Sequence, residues 1–124
     1  MNNERDAILQ VVDHYVQGSF RGDRALLEGA FTADAEMHGI MGGRYVTMSA
    51  ATFIDGICQS PSMADSGVDF HAETEVTDVY GDIAAAVVHE HNFGGTTDFV
   101  DMFQLVRTDG VWQIVSKTFC TADL

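Results

Sequence analysis

The sequence predicts an α+β fold in which three N-terminal helices pack on one face of a strongly curved, mostly antiparallel sheet. Three observations carry this. Apolar residues recur at helical spacing near the N-terminus. After Gly67 the pattern changes to long strand-like segments, and tight glycine turns separate those segments.

The elements follow in order. Asn2 or Asn3 can cap a first helix, along which Ala7, Ile8, Val11, Val12, Tyr15 and Val16 recur, with Gly18 marking its end. Asp23 caps a shorter second helix carrying Leu26, Leu27 and Phe31. Ala35 to Met41 and Tyr45 to Met48 read as strands around Gly42-Gly43. Ser49 caps a third helix with Phe53, Ile54, Ile57 and Cys58 on one face, and Pro61 lies just beyond it. The segment from Ser60 to Gly67 is expected to be a flexible loop. Val68 to Tyr80 and Ile83 to Phe93 flank the hairpin signal Gly81-Asp82. The last hairpin runs from Thr97 to Phe119 through Asp109-Gly110.

At 124 residues the chain is expected to form one domain spanning residues 1–124. Its net charge of −13 and six scattered cations (Arg5, Arg21, Arg24, Arg44, Arg107 and Lys117) disfavour nucleic acid and anionic membrane as partners. No apolar stretch reaches the roughly 20 residues of a membrane helix. The N-terminus shows no signal-peptide pattern, so a cytoplasmic location is expected. Cys58 and Cys120 match no metal or redox spacing and read as buried small hydrophobes.

The order of these elements resembles the nuclear transport factor 2-like superfamily, and the resemblance covers nearly the whole chain. Its marks are Tyr15, Gly22-Asp23, Phe31 followed by Asp34-Ala35, Ser49 to Phe53, Gly81-Asp82-Ile83-Ala84 and Asp109 to Ile114. Within the superfamily the chain looks most like the small bacterial proteins labelled putative lumazine-binding, whose closing pattern is matched by Asp101 to Ile114. The resemblance implies a cystatin-like cone, which often holds a ligand pocket, and a homodimer formed through the sheet. It does not fix an activity, because the superfamily spans isomerases, cyclases, dehydratases and transport adaptors.

Ketosteroid isomerases share this fold and use a tyrosine and a protonated aspartic acid as an oxyanion hole. By resemblance Tyr15 and Asp101 fall at those positions. Asp101 shares a strand face with Phe99, Phe103 and Leu105, so burial would disfavour its charged form. The isomerase base would fall at Gly39, and His38 is the adjacent candidate, although strand alternation points it to the other face. The candidate catalytic residues are therefore Tyr15, Asp101 and His38, with His89 a second possible base. The candidate pocket comprises Tyr15, Phe31, Phe53, Ile57, His89, Asp101, Phe103 and Phe119.

His89 and His91 share a strand face, but a two-residue hairpin would place Ala72 and Thr74 opposite them. Neither is a strong metal ligand, so no metal is expected, nor any cofactor. His71 would lie on the opposite face. Glu73, Glu75 and Glu90 read as sharing one wet outer face, near Ala84, Ala86 and Val88. Three functions follow: a binder of a small hydrophobic or aromatic molecule, an enzyme transferring a proton next to a carbonyl, and a dimeric interaction module.

Overall fold

The computed structural model describes residues 3–124. The elements are α1 (Asn3–Arg21), α2 (Arg24–Ala30), β1 (Phe31–Met41), β2 (Arg44–Ser49), α3 (Ala50–Gln59), β3 (His71–Tyr80), β4 (Ile83–Phe93), β5 (Thr97–Thr108) and β6 (Val111–Ala122). The strands form one sheet in the order β2-β1-β6-β5-β4-β3. Neighbours are antiparallel except β1 and β6, which run parallel. Each ladder outside the β1-β2 hairpin carries a register shift. Such bulges bend a strand and sharpen its twist, which curves this sheet around its helices.

Helix α1 buries Ile8, Val12, Tyr15, Val16 and Ser19, a stripe at helical spacing. Glu4 and Asp6 in its first turn and Arg21 in its last complement the helix dipole. The cap expected at Asn2 lies outside the described residues, and Asn3 is already helical. Gly18 does not end the helix, which continues to Arg21 and stops at Gly22, where φ is +65°. Gly18 serves packing instead: a Cβ there would stand 2.8 Å from Cγ of Leu27, so its absence lets α2 cross closely.

The expected caps of the other helices are present. Asp23 accepts a hydrogen bond from the Leu26 amide at 3.2 Å, and Ser49 accepts one from Thr52 at 3.1 Å. Phe31 opens β1 rather than closing α2. The segment after α3, expected to be flexible, is tied down. The Ala64 amide donates to the Phe20 carbonyl at 3.0 Å, and the Asp65 amide to the Ser62 hydroxyl at 3.0 Å, while Met63 is buried.

Sheet and helices enclose one apolar core. Ile8, Leu27, Met37, Val88, Phe103, Leu105 and Ile114 are almost completely buried. At the open edge of the helical layer, Trp112 Nε1 donates to Glu4 at 2.8 Å. Arg107 pairs with both Glu4 and Asp82, which pins the start of α1 to two hairpins. Cys58 is half-buried, whereas Cys120 is exposed, because alternation that buries Phe119 turns Cys120 outward.

The register of β3 against β4 departs from the simple hairpin. Thr77 is an extra residue between the pairs Val76–Ala86 and Asp78–Ala85. Every pair beyond it shifts by one, so His71 faces His91, Ala72 faces Glu90 and Glu73 faces His89. His71 and His91 therefore stack at 4.3 Å instead of lying on opposite faces, and Glu73 bonds His91 at 2.8 Å. Glu73 and Glu75 remain exposed while Glu90 turns inward with Ala84, Ala86 and Val88.

Candidate functional site

Three adjacent strands each contribute one ionisable residue to the inner face: Glu90 on β4, Asp101 on β5 and Lys117 on β6. Their exposures are 1%, 0% and 5%. Tyr15 descends from α1 onto the same point. Its hydroxyl lies 3.1 Å from Glu90 Oε2 and 3.3 Å from Asp101 Oδ2, and it accepts a hydrogen bond from Lys117 Nζ at 3.0 Å. The phenol ring is fixed by Phe31, Phe53 and Phe103, with centroids 5.9, 6.0 and 5.0 Å away.

Electrostatics assign roles within this group. Burial, followed by the neighbouring charge of Asp101, holds the Glu90 carboxyl well above the usual carboxylate range. Lys117 and the Tyr15 hydrogen bond pull the other way without cancelling the shift. Two carboxyls sharing one buried site retain a proton between them, and burial favours the protonated form of Glu90. Burial above all, and then the neighbouring carboxyl groups, push the Tyr15 phenol well above its normal range, so its hydroxyl remains a donor. Asp101 Oδ1 is buried without a hydrogen-bond partner among the described residues. Lys117 Nζ lies 5.0, 4.8 and 4.9 Å from the ring centres of Tyr15, Phe53 and Phe119, an aromatic box suited to a cation.

Beside the cluster is a pocket of about 170 Å³. Its wall is Met37, Met41, Met48, Phe53, Phe93, Phe99 and Phe119, with Glu90 and Lys117 as the polar groups. The site is thus an apolar chamber with one acid and one amine on its wall, and Tyr15 and Asp101 behind them.

The structure brings together Tyr15, Asp101, Phe53 and Phe119 of the residues singled out from sequence. Phe31 and Phe103 pack on the Tyr15 ring behind the pocket, and Ile57 packs against the core from α3. His38 and His89 are not part of the site. His38 points to the outer face, where Nδ1 lies 3.1 Å from both the Tyr45 and Thr47 hydroxyls. His89 is exposed because its neighbour Glu90 takes the inner face. Gly39 is buried against Phe119: a Cβ at residue 39 would stand 2.5 Å from that ring. Where the resemblance implies a base, the chain therefore has a glycine packed under an aromatic ring.

Sequence reasoning missed Glu90 and Lys117. The bulge at Thr77 hid Glu90, since an unshifted register groups it with Glu73 and Glu75. Lys117 carried a usable signal: it stands two residues from Phe119 on the same strand, so the two share a face.

Three helices packed on a six-stranded curved sheet make the nuclear transport factor 2-like, cystatin-like fold. The chain belongs to the family described as "Putative lumazine-binding", whose profile matches residues 3–120. It resembles an NTF2-like protein of unknown function from Silicibacter pomeroyi DSS-3, with a TM-score of 0.85, 28% identity and 98% of each chain covered. A domain with a cystatin-like fold from Nostoc punctiforme is similar in fold, with a TM-score of 0.67 and 17% identity over 100% of this chain and 80% of that one. In sequence the chain is 27% identical over 118 residues to a protein named aldolase FrzH from a Cladobotryum species, covering 95% of this chain and 91% of that protein. Among the described residues no helix is long and apolar enough to cross a membrane.

Proposed function

We propose that the chain binds a small, largely apolar carbonyl compound in the Met/Phe pocket and promotes proton transfer at the carbon next to the carbonyl. The observation that carries this reading is the placement of one acid and one amine, Glu90 and Lys117, on an otherwise apolar wall. A carbonyl oxygen directed at them meets a neutral carboxyl and an ammonium group. Both stabilise negative charge developing on oxygen in surroundings poor in water. Methionine and phenylalanine side chains suit an alkyl or aryl remainder. A relative named as an aldolase supports the same chemistry, because an aldol reaction begins by removing a proton next to a carbonyl. Lumazine itself carries more donors and acceptors than this wall can satisfy, so a less polar ligand fits better.

The test is exchange of the α-hydrogens of phenylacetaldehyde and of small aliphatic aldehydes and ketones in D2O, followed by NMR. Native protein is expected to accelerate exchange over buffer. Glu90→Gln, which removes the ionisable proton while keeping the shape, is expected to lose about 10²–10⁴-fold of that acceleration. Exchange no faster than buffer across the panel, with ligand binding still detected, would leave a binding protein without this chemistry.

The reading includes a second copy docked on the outer face of the sheet. Tyr80, Ile83, Met102 and Val111 expose 83, 57, 59 and 57% of their surface there. Exposed apolar side chains on four strands of one face favour self-association.

A further inference from the structure

Lys117 is the lone lysine of a chain with 19 acidic residues, and it is 5% exposed. A buried lysine in an acidic protein is ordinarily explained by an ion pair. Among the described residues, however, the salt bridges are made by Arg24, His91 and Arg107, with none from Lys117. Its Nζ donates to a phenol and stands at the wall of a pocket. The pocket also poses a chemical problem. Burial favours the protonated form of Glu90, and a carboxyl that donates to a carbonyl cannot at the same moment accept a proton from carbon. Among the described residues no other carboxylate and no histidine lies on the wall.

We infer that Lys117 is the nucleophile of this site, its Nζ adding to the carbonyl carbon of a small apolar aldehyde or ketone to form an iminium ion. This rests on the reading that the pocket takes a carbonyl compound, and it supplies the missing base. The ammonium first gives one proton through the Tyr15 hydroxyl to the Asp101 carboxylate, along contacts of 3.0 and 3.3 Å. The amine lone pair then forms the N–C bond while the C=O π pair moves to oxygen, which takes the proton of Glu90. Nitrogen returns a second proton to Glu90. Glu90 protonates the hydroxyl, the C–O bond breaks, water leaves, and the nitrogen pair closes the C=N bond.

Atoms and charge balance: one water is released, the cation stays on nitrogen, Asp101 holds the proton that left the ammonium, and Glu90 ends as a carboxylate. That carboxylate now stands beside a cationic iminium. It can take the proton of the adjacent carbon, the C–H pair flowing toward nitrogen to give an enamine. One residue thus acts as acid and then as base, and the sequence of steps explains why a single carboxyl on the wall is enough. The aromatic box of Tyr15, Phe53 and Phe119 around Nζ favours a cation at this position, whether ammonium or iminium.

The test is reductive trapping. Native protein is incubated with phenylacetaldehyde and sodium cyanoborohydride, which delivers hydride to an iminium carbon, and is then mapped by peptide mass spectrometry. The chain has two kinds of amine, the Lys117 side chain and the α-amino group, so the latter is an internal reference. One phenethyl group on Lys117, formed faster than on the α-amine, is expected, with loss of that label in Lys117→Arg. The native map is decisive even if the variant does not fold. Catalysed α-exchange without label on Lys117 would overturn the covalent step and leave the non-covalent reading standing. Label on Lys117 without α-exchange would support the nucleophile and sink the proton-transfer reading.

Discussion

Tyr15→Phe isolates the hydroxyl that holds the buried cluster together. The substitution keeps the ring and its contacts with Phe31, Phe53 and Phe103, so the change in stability reports the hydroxyl alone. That oxygen accepts from Lys117 at 3.0 Å, and its one proton goes to Glu90 or Asp101, which lie at 3.1 and 3.3 Å. Two hydrogen bonds involving charged or charge-sharing groups are therefore lost at once, each worth about 1.5–3 kcal/mol. Lys117 is left buried without the one hydrogen-bond acceptor it has among the described residues. The expected loss is about 3–5 kcal/mol, a large part of the roughly 5–15 kcal/mol typical of a domain. For 124 residues each kcal/mol corresponds to about 4 °C in Tm, so the melting point should fall by about 12–20 °C.

Urea unfolding of native protein and variant measures the difference directly. A double-mutant cycle with Lys117→Met sharpens it, because with the amine gone the phenol has less to hold and Tyr15→Phe should cost distinctly less. A loss below about 1 kcal/mol, or a cost unaffected by Lys117→Met, would refute the view that this hydroxyl organises the site.

Two further outcomes are expected. Gly39→Ala places a Cβ 2.5 Å from the Phe119 ring and should cost about 1–3 kcal/mol by overpacking. Because Phe119 must swing into the pocket, ligand affinity should fall as well, and a variant as stable as native protein in thermal melts would contradict that geometry. Sedimentation velocity should show a dimer for native protein and a monomer for Met102→Glu, which places a charge on the exposed outer face without touching the inner cluster. Native protein sedimenting as a monomer would remove the proposed pairing.

Much of the architecture was legible because local rules agreed with the fold. The helical stripe through Ile8, Val12 and Tyr15, the caps at Asp23 and Ser49, and the turns at Gly81-Asp82 and Asp109-Gly110 each name their own element. Asp101 was visible as an acid on a strand face with Phe99, Phe103 and Leu105, and that face is buried. Glu90 was not legible, because one unpaired residue at Thr77 reverses the face assignment of everything beyond it on β3. Nothing in the composition of that strand announces the extra residue.

The sequence by itself determined the class of fold, the apolar inner face and one acid within it, since periodicity and turn chemistry act over a few residues. Only the tertiary structure decided which charged groups meet. Tyr15, Glu90, Asp101 and Lys117 come from a helix and three different strands, and Tyr15 is separated from the others by 75, 86 and 102 positions. Their convergence depends on strand order and bulge placement. Both arise from the packing of the whole chain and from the cost of burying each of these groups without a partner.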